Sequence, residues 1–386
     1  LRILKGFVTH LIVFVLRCVR VTAKVWSCFE WERTMAEPIQ DLNPDTMTRS
    51  PGLSYQQLLD QDTRPVPAVL REQSPKLIPD LAVPVERFTS RAYHDLEVER
   101  LWKRVWQFAC REEQIPDAGD YVVYDITNQS YIVVRQDDGS IKAYPNACLH
   151  RGRRLKDYDG HCSEIRCPFH GFSWALEGHL TDVPAQWDFP HVEERREEGF
   201  HLPECQVGTW AGFVFINPDP QCEPLSDFLG GIQEQFEIWK LEDRFIEAHV
   251  TKIIGANWKI AQEAFSEAYH VNATHPQILP YLADTNSQVD VWENYSRVIT
   301  AGLSTSPLLW YDVSEDDMMR GMLDVRVDQD SPIKIPAGQT ARAVASASAR
   351  DRWRSAVGDR VDSMSDSEMM DSIDYTIFPN MHPWGA

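Results

Sequence analysis

Residues 148–170 read CLHRGRRLKDYDGHCSEIRCPFH. The stretch holds two mixed pairs, Cys148-Leu149-His150 and Cys167-Pro168-Phe169-His170, with sixteen residues between them. One Cys and one His from each of two loops suits a [2Fe–2S] cluster in which one iron takes both thiolates and the other both imidazoles. Neutral imidazoles raise the potential above that of an all-thiolate cluster. The rival is a structural zinc site, since zinc also takes two Cys and two His. Zinc fingers usually pair like with like, whereas each pair here is mixed. Gly152 and Gly171 allow the tight turns that would fold two loops over a cluster, and Pro168 stiffens the second loop. His161 and Cys162 lie between the pairs and read as an exposed imidazole and a loop thiol, because using either breaks the pairing.

The pattern C-x-H-R-G followed by C-P-F-H-G resembles the Rieske domain of aromatic-ring-hydroxylating oxygenases. The resemblance implies that Cys148, His150, Cys167 and His170 hold the [2Fe–2S] cluster.

With 386 residues, the chain has length for two or three domains and a large core. Its 43% hydrophobic and 25% charged content is that of a globular protein outside the membrane. A net charge of −20 argues against nucleic-acid binding, because the surface repels phosphates. That charge suits a basic electron donor, or simply a solvated acidic surface. Eight cysteines over this length form no dense disulfide pattern, and a redox-labile cluster points to a reducing cytoplasm. An apolar run over residues 7–16 is too short to span a bilayer. The basic residues that follow it make a poor signal-peptide cleavage site. Residues 1–34 therefore read as an upstream extension that is not native, with the start at Met35.

From Met35 to about Pro84 the sequence reads as an extended arm, rich in Pro, Asp and Gln. Residues 92–108 place Leu96, Val98, Leu101, Trp102, Val105 and Trp106 near helical spacing. Short β-type runs follow at 121–126, 131–134, 141–144 and 209–216, with a turn at Asp138-Gly139. Further on, 225–239 predicts a helix, 245–254 a strand, and a helix starts near Trp258. Residues 341–362 predict a solvated helix. No repeat and no nucleotide-binding Gly loop occurs, so reducing electrons come from another protein.

The second chemical motif is NWKIAQEAFSEAYHVNATH, residues 257–275. Glu267 and His270 are three apart and share a face on a helix, with Pro276 ending it after His275. Two imidazoles and a carboxylate with open positions make the facial triad of non-haem Fe(II) oxygenases, although two His and a Glu near a helix, taken alone, read by default as ordinary core or surface side chains. N-W-K followed by E-x-x-x-E-x-Y-H-x4-H is similar to the catalytic motif of the ring-hydroxylating oxygenase alpha subunit. The resemblance implies that His270 and His275 bind a mononuclear iron. It also implies that Glu267 is a bridging carboxylate, linking His270 to cluster-ligand His170 of a neighbouring subunit in a head-to-tail trimer. The bridge is commonly Asp, and Glu looks like a branch that oxidises quaternary ammonium compounds. Ala264 stands where many relatives carry Asn; Glu263 matches the family and reads as structural. The family's third iron ligand is an Asp well past an F-P-N strand. Phe378-Pro379-Asn380 looks like that strand, so the ligand is expected beyond Ala386 in a C-terminally truncated chain. Asp371 and Asp374 are weak substitutes, read as a charged loop.

The expected fold is α+β: an arm and helix over 35–103, a β-rich Rieske domain over 104–218, and a truncated helix-grip catalytic domain over 219–386. The implied activity uses O2 and electrons from a ferredoxin or a flavin-dependent NAD(P)H reductase to hydroxylate an aromatic or other apolar substrate. A homotrimer, with or without a beta subunit, follows from the same resemblance. The alternatives are a monooxygenase or demethylase acting on a quaternary ammonium compound, an electron carrier without oxygen chemistry, and a helix-grip binding module with an inert His pair.

Overall fold

The computed structural model describes residues 52–75, 82–194, 199–326 and 329–385. The expectations for residues 1–34 and the first part of the arm lie outside these. The described arm is not wholly extended. A short helix, Tyr55–Leu59, starts on a capping box in which Ser54 and Gln57 satisfy each other's backbone amides.

Helix Arg91–Glu97 widens into a π turn at Val98–Trp102 and stops there, short of the helix expected to Phe108. Gln107 and Phe108 instead open a strand. The strands between 107 and 217 are β1 (Gln107–Arg111), β2 (Asp120–Ile126), β3 (Gln129–Arg135), β4 (Ile141–Pro145), β5 (Gly160–His161), β6 (Ile165–Arg166), β7 (Ser173–Trp174), β8 (Leu180–Asp182), β9 (Gln206–Trp210) and β10 (Phe213–Asn217). They form antiparallel sheets in the orders β4-β3-β2-β5, β6-β7-β8 and β1-β10-β9. Burial of Val122, Tyr124 and Ile126 at every second position is the period of a half-buried strand. The run 209–216, expected as one strand, is a hairpin. Ala211 and Gly212 sit at φ +50° and +80°, the left-handed pair that a two-residue β-turn needs.

The helix expected over 225–239 breaks into Leu225–Leu229 and Ile232–Phe236, separated at Gly230. Residues 245–254 do not form the expected strand, because no described strand lies alongside to complete a ladder. Beyond them, β11 (Gln288–Val291), β12 (Tyr295–Thr300), β13 (Ser372–Ile377) and β14 (Trp384–Gly385) make one antiparallel sheet in that order. Phe378-Pro379-Asn380, expected as a strand, is the turn between β13 and β14.

One face of β12 and β13 (Ile299, Ile373, Tyr375 and Ile377) joins the largest core cluster. That cluster also takes Tyr55 and Leu58 from the arm, and Phe108, Phe213 and Phe215 from β1 and β10. The arm, the strands β1 and β10 and the β11–β14 sheet are thereby fixed to one body. Helix Ala341–Val357, expected to be solvated, buries Ala341, Ala345 and Ala349 along one stripe and Arg342 and Arg350 beside it. The arginines are buried because Asp371 and Asp366 meet them at 2.6 and 2.5 Å. The resulting architecture is α+β. No helix among the described residues is long and apolar enough to cross a membrane.

Candidate metal centres

The two loops of the Cys/His stretch fold alike. Cys148 N donates to Arg153 O and Gly152 N returns to Cys148 O, both at 2.8 Å. Cys167 N donates to Phe172 O at 2.8 Å, and Gly171 N returns to Cys167 O at 3.1 Å. Each loop needs a glycine at its tip, with φ +70° at Gly152 and +80° at Gly171. The matched turns bring both sulfurs into the interior, with Cys148 4% and Cys167 1% exposed.

The sulfurs come within hydrogen-bonding reach of each other. Burial pushes the Cys148 thiol up, and the Cys167 sulfur beside it adds to the rise. Burial works the same way on Cys167, but the amides of His170 and Phe169, the Cys148 thiol and the Arg153 charge together outweigh it and hold that thiol below its usual range. A lowered thiol is the ligand-ready form. The His150 ring stacks on Phe172 at 4.7 Å and meets the His170 ring edge-on at 4.8 Å. His150 Nδ1 is buried without a hydrogen-bond partner. An orphaned imidazole nitrogen beside a second imidazole and two buried sulfurs is the donor set a two-iron cluster with mixed ligands requires, so the residues fit the group. His161 takes no part and pairs with Asp120 at 3.0 Å.

The iron-motif segment is not one helix. Helix Trp258–Glu263 starts on an Asn257 cap and ends before Glu267, and Val271–Thr274 begins a separate short helix. Glu267 sits in the break and still meets His270, through two contacts. Its Oε1 lies 2.7 Å from His270 Nδ1, and its Oε2 accepts His270 N at 3.0 Å. That leaves His270 Nε2 for a metal. The His275 ring centroid stands 5.7 Å from that of His270. Among the described residues no three His, Cys, Asp or Glu side chains converge as ligands of a single ion. The His pair is thus a partial set for a mononuclear iron, while a cluster with two protein ligands per iron needs no such triple. Asp371 and Asp374 are not in a charged loop. Asp371 is buried against Arg342, and Asp374 lies within β13.

Residues 105–193 match the Rieske [2Fe–2S] domain. Residues 234–382 match the ring hydroxylating alpha subunit catalytic domain. The chain belongs to the Rieske ring-hydroxylating oxygenase alpha subunits. It is 31% identical over 197 residues to the anthranilate 1,2-dioxygenase large subunit of Acinetobacter baylyi, covering 49% of this chain and 41% of that one. It is 27% identical to the glycine betaine monooxygenase oxygenase subunit of Pseudomonas aeruginosa, covering 54% and 48%. Naphthalene 1,2-dioxygenase from Rhodococcus sp. shares the fold with a TM-score of 0.53 at 24% identity, over 78% of this chain and 64% of that one. The chain spans about half the length of the curated relatives it matches. In Rieske oxygenase alpha subunits the first domain implies a [2Fe–2S] cluster and the second binds a mononuclear iron.

Two features of this Rieske oxygenase chain escaped the sequence. Lys259 of the N-W-K motif is buried and reaches Glu97 Oε1 at 2.5 Å, a partner 162 positions earlier. Asp374 and His382 lie on one face of the β13–β14 sheet, where Asp374 Oδ1 and His382 Nε2 are buried without partners. The first left a signal, a lysine inside an apolar helix start; the second left none.

Proposed function

We propose that this chain does the work of a terminal oxygenase, using O2 and electrons from a ferredoxin or a flavin-dependent NAD(P)H reductase to hydroxylate an aromatic or other apolar substrate. The supporting observation is the pairing of two matched Cys/His loop tips with a Glu–His contact in the same chain. Cys148 and Cys167 would hold one iron of the cluster, and His150 and His170 the other. His270 and His275 would hold the mononuclear iron. When bound, these groups supply one-electron transfer and oxygen activation.

The residues of the chain do the positioning. Glu267 Oε1 holds the Nδ1 proton of His270, which fixes the tautomer and turns Nε2 outward. Phe172 stacks on His150 and holds that ring in place. Phe169, 61% exposed, and the exposed His170 offer a face for a neighbouring subunit, and Glu267 is exposed as well. These exposures support a head-to-tail trimer in which Glu267 links His270 to a neighbour's cluster histidine. A cytoplasmic setting in aromatic-compound breakdown fits this reading.

A second reading is monooxygenation of a quaternary ammonium compound, favoured by Glu rather than Asp at position 267. A glycine betaine monooxygenase subunit stands among the relatives, and a quaternary ammonium Rieske monooxygenase shares the fold with a TM-score of 0.51.

Anaerobic purification followed by iron and sulfide analysis tests the assignment. About two irons and two sulfides per chain, both lost in Cys167→Ser, are expected for the cluster. Further iron that disappears in His270→Ala with the visible spectrum unchanged is expected for the second site. Zinc in place of sulfide overturns the reading.

A further inference from the structure

The face of β13 turned away from the core carries Ser372, Asp374 and Thr376. The register sets Asp374 opposite Trp384 of β14, and Tyr375 N donates to Pro383 O just beyond it. That pairing carries His382 to a place beside Thr376, whose Oγ1 lies 2.8 Å from His382 Nδ1. Trp384 Nε1 donates to Ser372 Oγ at 2.7 Å, and Ser372 Oγ donates in turn to Asp374 Oδ2 at 3.3 Å.

The network stops short at two atoms. Asp374 Oδ1 and His382 Nε2 are buried with nothing to bond. Nearby aspartates are treated differently: Asp290, Asp366 and Asp371 each meet a buried arginine. Asp374 has only the Ser372 hydroxyl among the described residues. Burial lifts its carboxyl to about 7, with the Ser372 bond pulling the other way. Burial also lowers His382 to about 4, so its ring is neutral. A structural acid would be satisfied, and leaving this one unpaired costs stability unless a ligand completes it.

The place of these atoms says which ligand. The His382 ring packs against Phe265 with centroids 5.1 Å apart. Phe265 lies two residues before Glu267, so the polar face borders the segment that carries the iron-motif residues. It offers an acceptor oxygen that attracts positive charge, a second polar nitrogen, and an aromatic wall.

We propose that Asp374 and His382 form a polar subsite for the substrate, selecting an organic amine whose protonated nitrogen donates to Asp374 while its apolar body lies along Phe265. This rests on the oxygenase reading and deepens it, since it names the class of substrate. A primary or secondary ammonium fits better than a quaternary one, because only an N–H can satisfy Oδ1.

Calorimetric titration of the whole chain with benzylamine and with its neutral isostere benzyl alcohol tests the subsite. Benzylamine is expected to bind about tenfold or more tightly than the alcohol, the ratio a charge-assisted hydrogen bond gives. Asp374→Asn brings the two to parity, and His382→Gln weakens both. Equal binding of the two probes, no binding of either, or an amine preference that survives Asp374→Asn overturns the proposal. The probes are compared first on the unmodified chain, so a variant that fails to fold leaves that answer standing. Iron and sulfide analysis of the same sample separates the two claims. A coloured chain without amine preference sinks only the subsite, and a colourless zinc-bearing chain with the preference sinks only the oxygenase reading.

Discussion

Lys259 and Glu97 show how much a single pair can carry. Lys259 Nζ and Glu97 Oε1 meet with side chains 7% and 8% exposed, and Trp258 Nε1 adds a bond to the other carboxylate oxygen at 3.3 Å. The ammonium also lies 5.1 Å from the Trp258 ring. These contacts tie helix Arg91–Glu97 to the helix that leads into the iron motif. Removing one member leaves the other buried and uncompensated, which costs about 3–5 kcal/mol. Lys259→Met should therefore lose stability in that range by urea denaturation, and adding Glu97→Leu should recover most of it. Simple additivity of the two losses would show that the pair is not coupled. Glu267 predicts a different outcome. Glu267→Ala should keep the visible cluster spectrum while its reduction no longer drives product formation in a reconstituted assay, because His270 loses its orienting partner. A bleached spectrum in that variant would place Glu267 in the fold rather than in the electron path.

The β13–β14 hairpin titrates in two opposing senses. Asp374 is raised to about 7 by burial, so its stabilising share is complete below the unfolded value near 3.8 and is lost as pH rises through 7. His382 is lowered to about 4 by burial. Its share is complete above the unfolded value near 6.5 and is lost as pH falls through 4. Between pH 4 and 6.5 the two slopes oppose each other, and the hairpin's pH dependence is nearly flat. Asp374→Asn should unmask a stability that climbs with pH across that window, and His382→Gln one that declines. Urea midpoints at pH 4.5 and 6.5 measure both; parallel curves for all three proteins would refute the assignment. None of this was readable beforehand, because Asp374 and His382 meet only once β14 returns alongside β13. Elements with a strong local period were legible. The alternation from Val122 to Ile126 gave its strand, and the glycines after the two mixed Cys/His pairs gave the matched tight turns, because a loop's turn needs only near neighbours. The rest failed for stated reasons: Ala211-Gly212 turned one expected strand into a hairpin, Gly230 divided a helix, and residues 245–254 had no strand to pair with. The iron motif kept its Glu267–His270 contact after losing its helix, since three residues of a turn bring the same atoms together.

At the scale of the molecule, the arm, the sheet and the long helix are closed by one arginine. Arg342 Nη1 donates to Gly302 O at 2.7 Å and to Asp371 Oδ1 at 2.6 Å, joining the end of β12 to the start of β13. Its Nη2 donates to Ser367 Oγ at 2.7 Å and lies 3.5 Å from Asp62 of the arm. Burial raises the Asp62 carboxyl, and the guanidinium pulls it back toward the charged form. Next to it, Thr63 N and Oγ1 both reach Asp366, which also holds Arg350. The arm is thus held on the catalytic sheet by a chain of buried charges, and its apolar residues Tyr55 and Leu58 fill the core that links the sheet to β1 and β10. Arg342→Met would strand Asp371 and Asp62 in the interior, at a cost of about 3–5 kcal/mol, and would release the arm first because Asp62 Oδ1 is buried without a hydrogen bond and would lose the guanidinium beside it. Limited proteolysis should then cut near residues 60–75 while the cluster absorbance persists, since Cys148 and Cys167 lie in a separate core. Loss of absorbance in step with the cleavage would mean that the cluster loops depend on the arm. Retention of both would mean that the core contacts of Tyr55 and Leu58 hold the arm without the arginine.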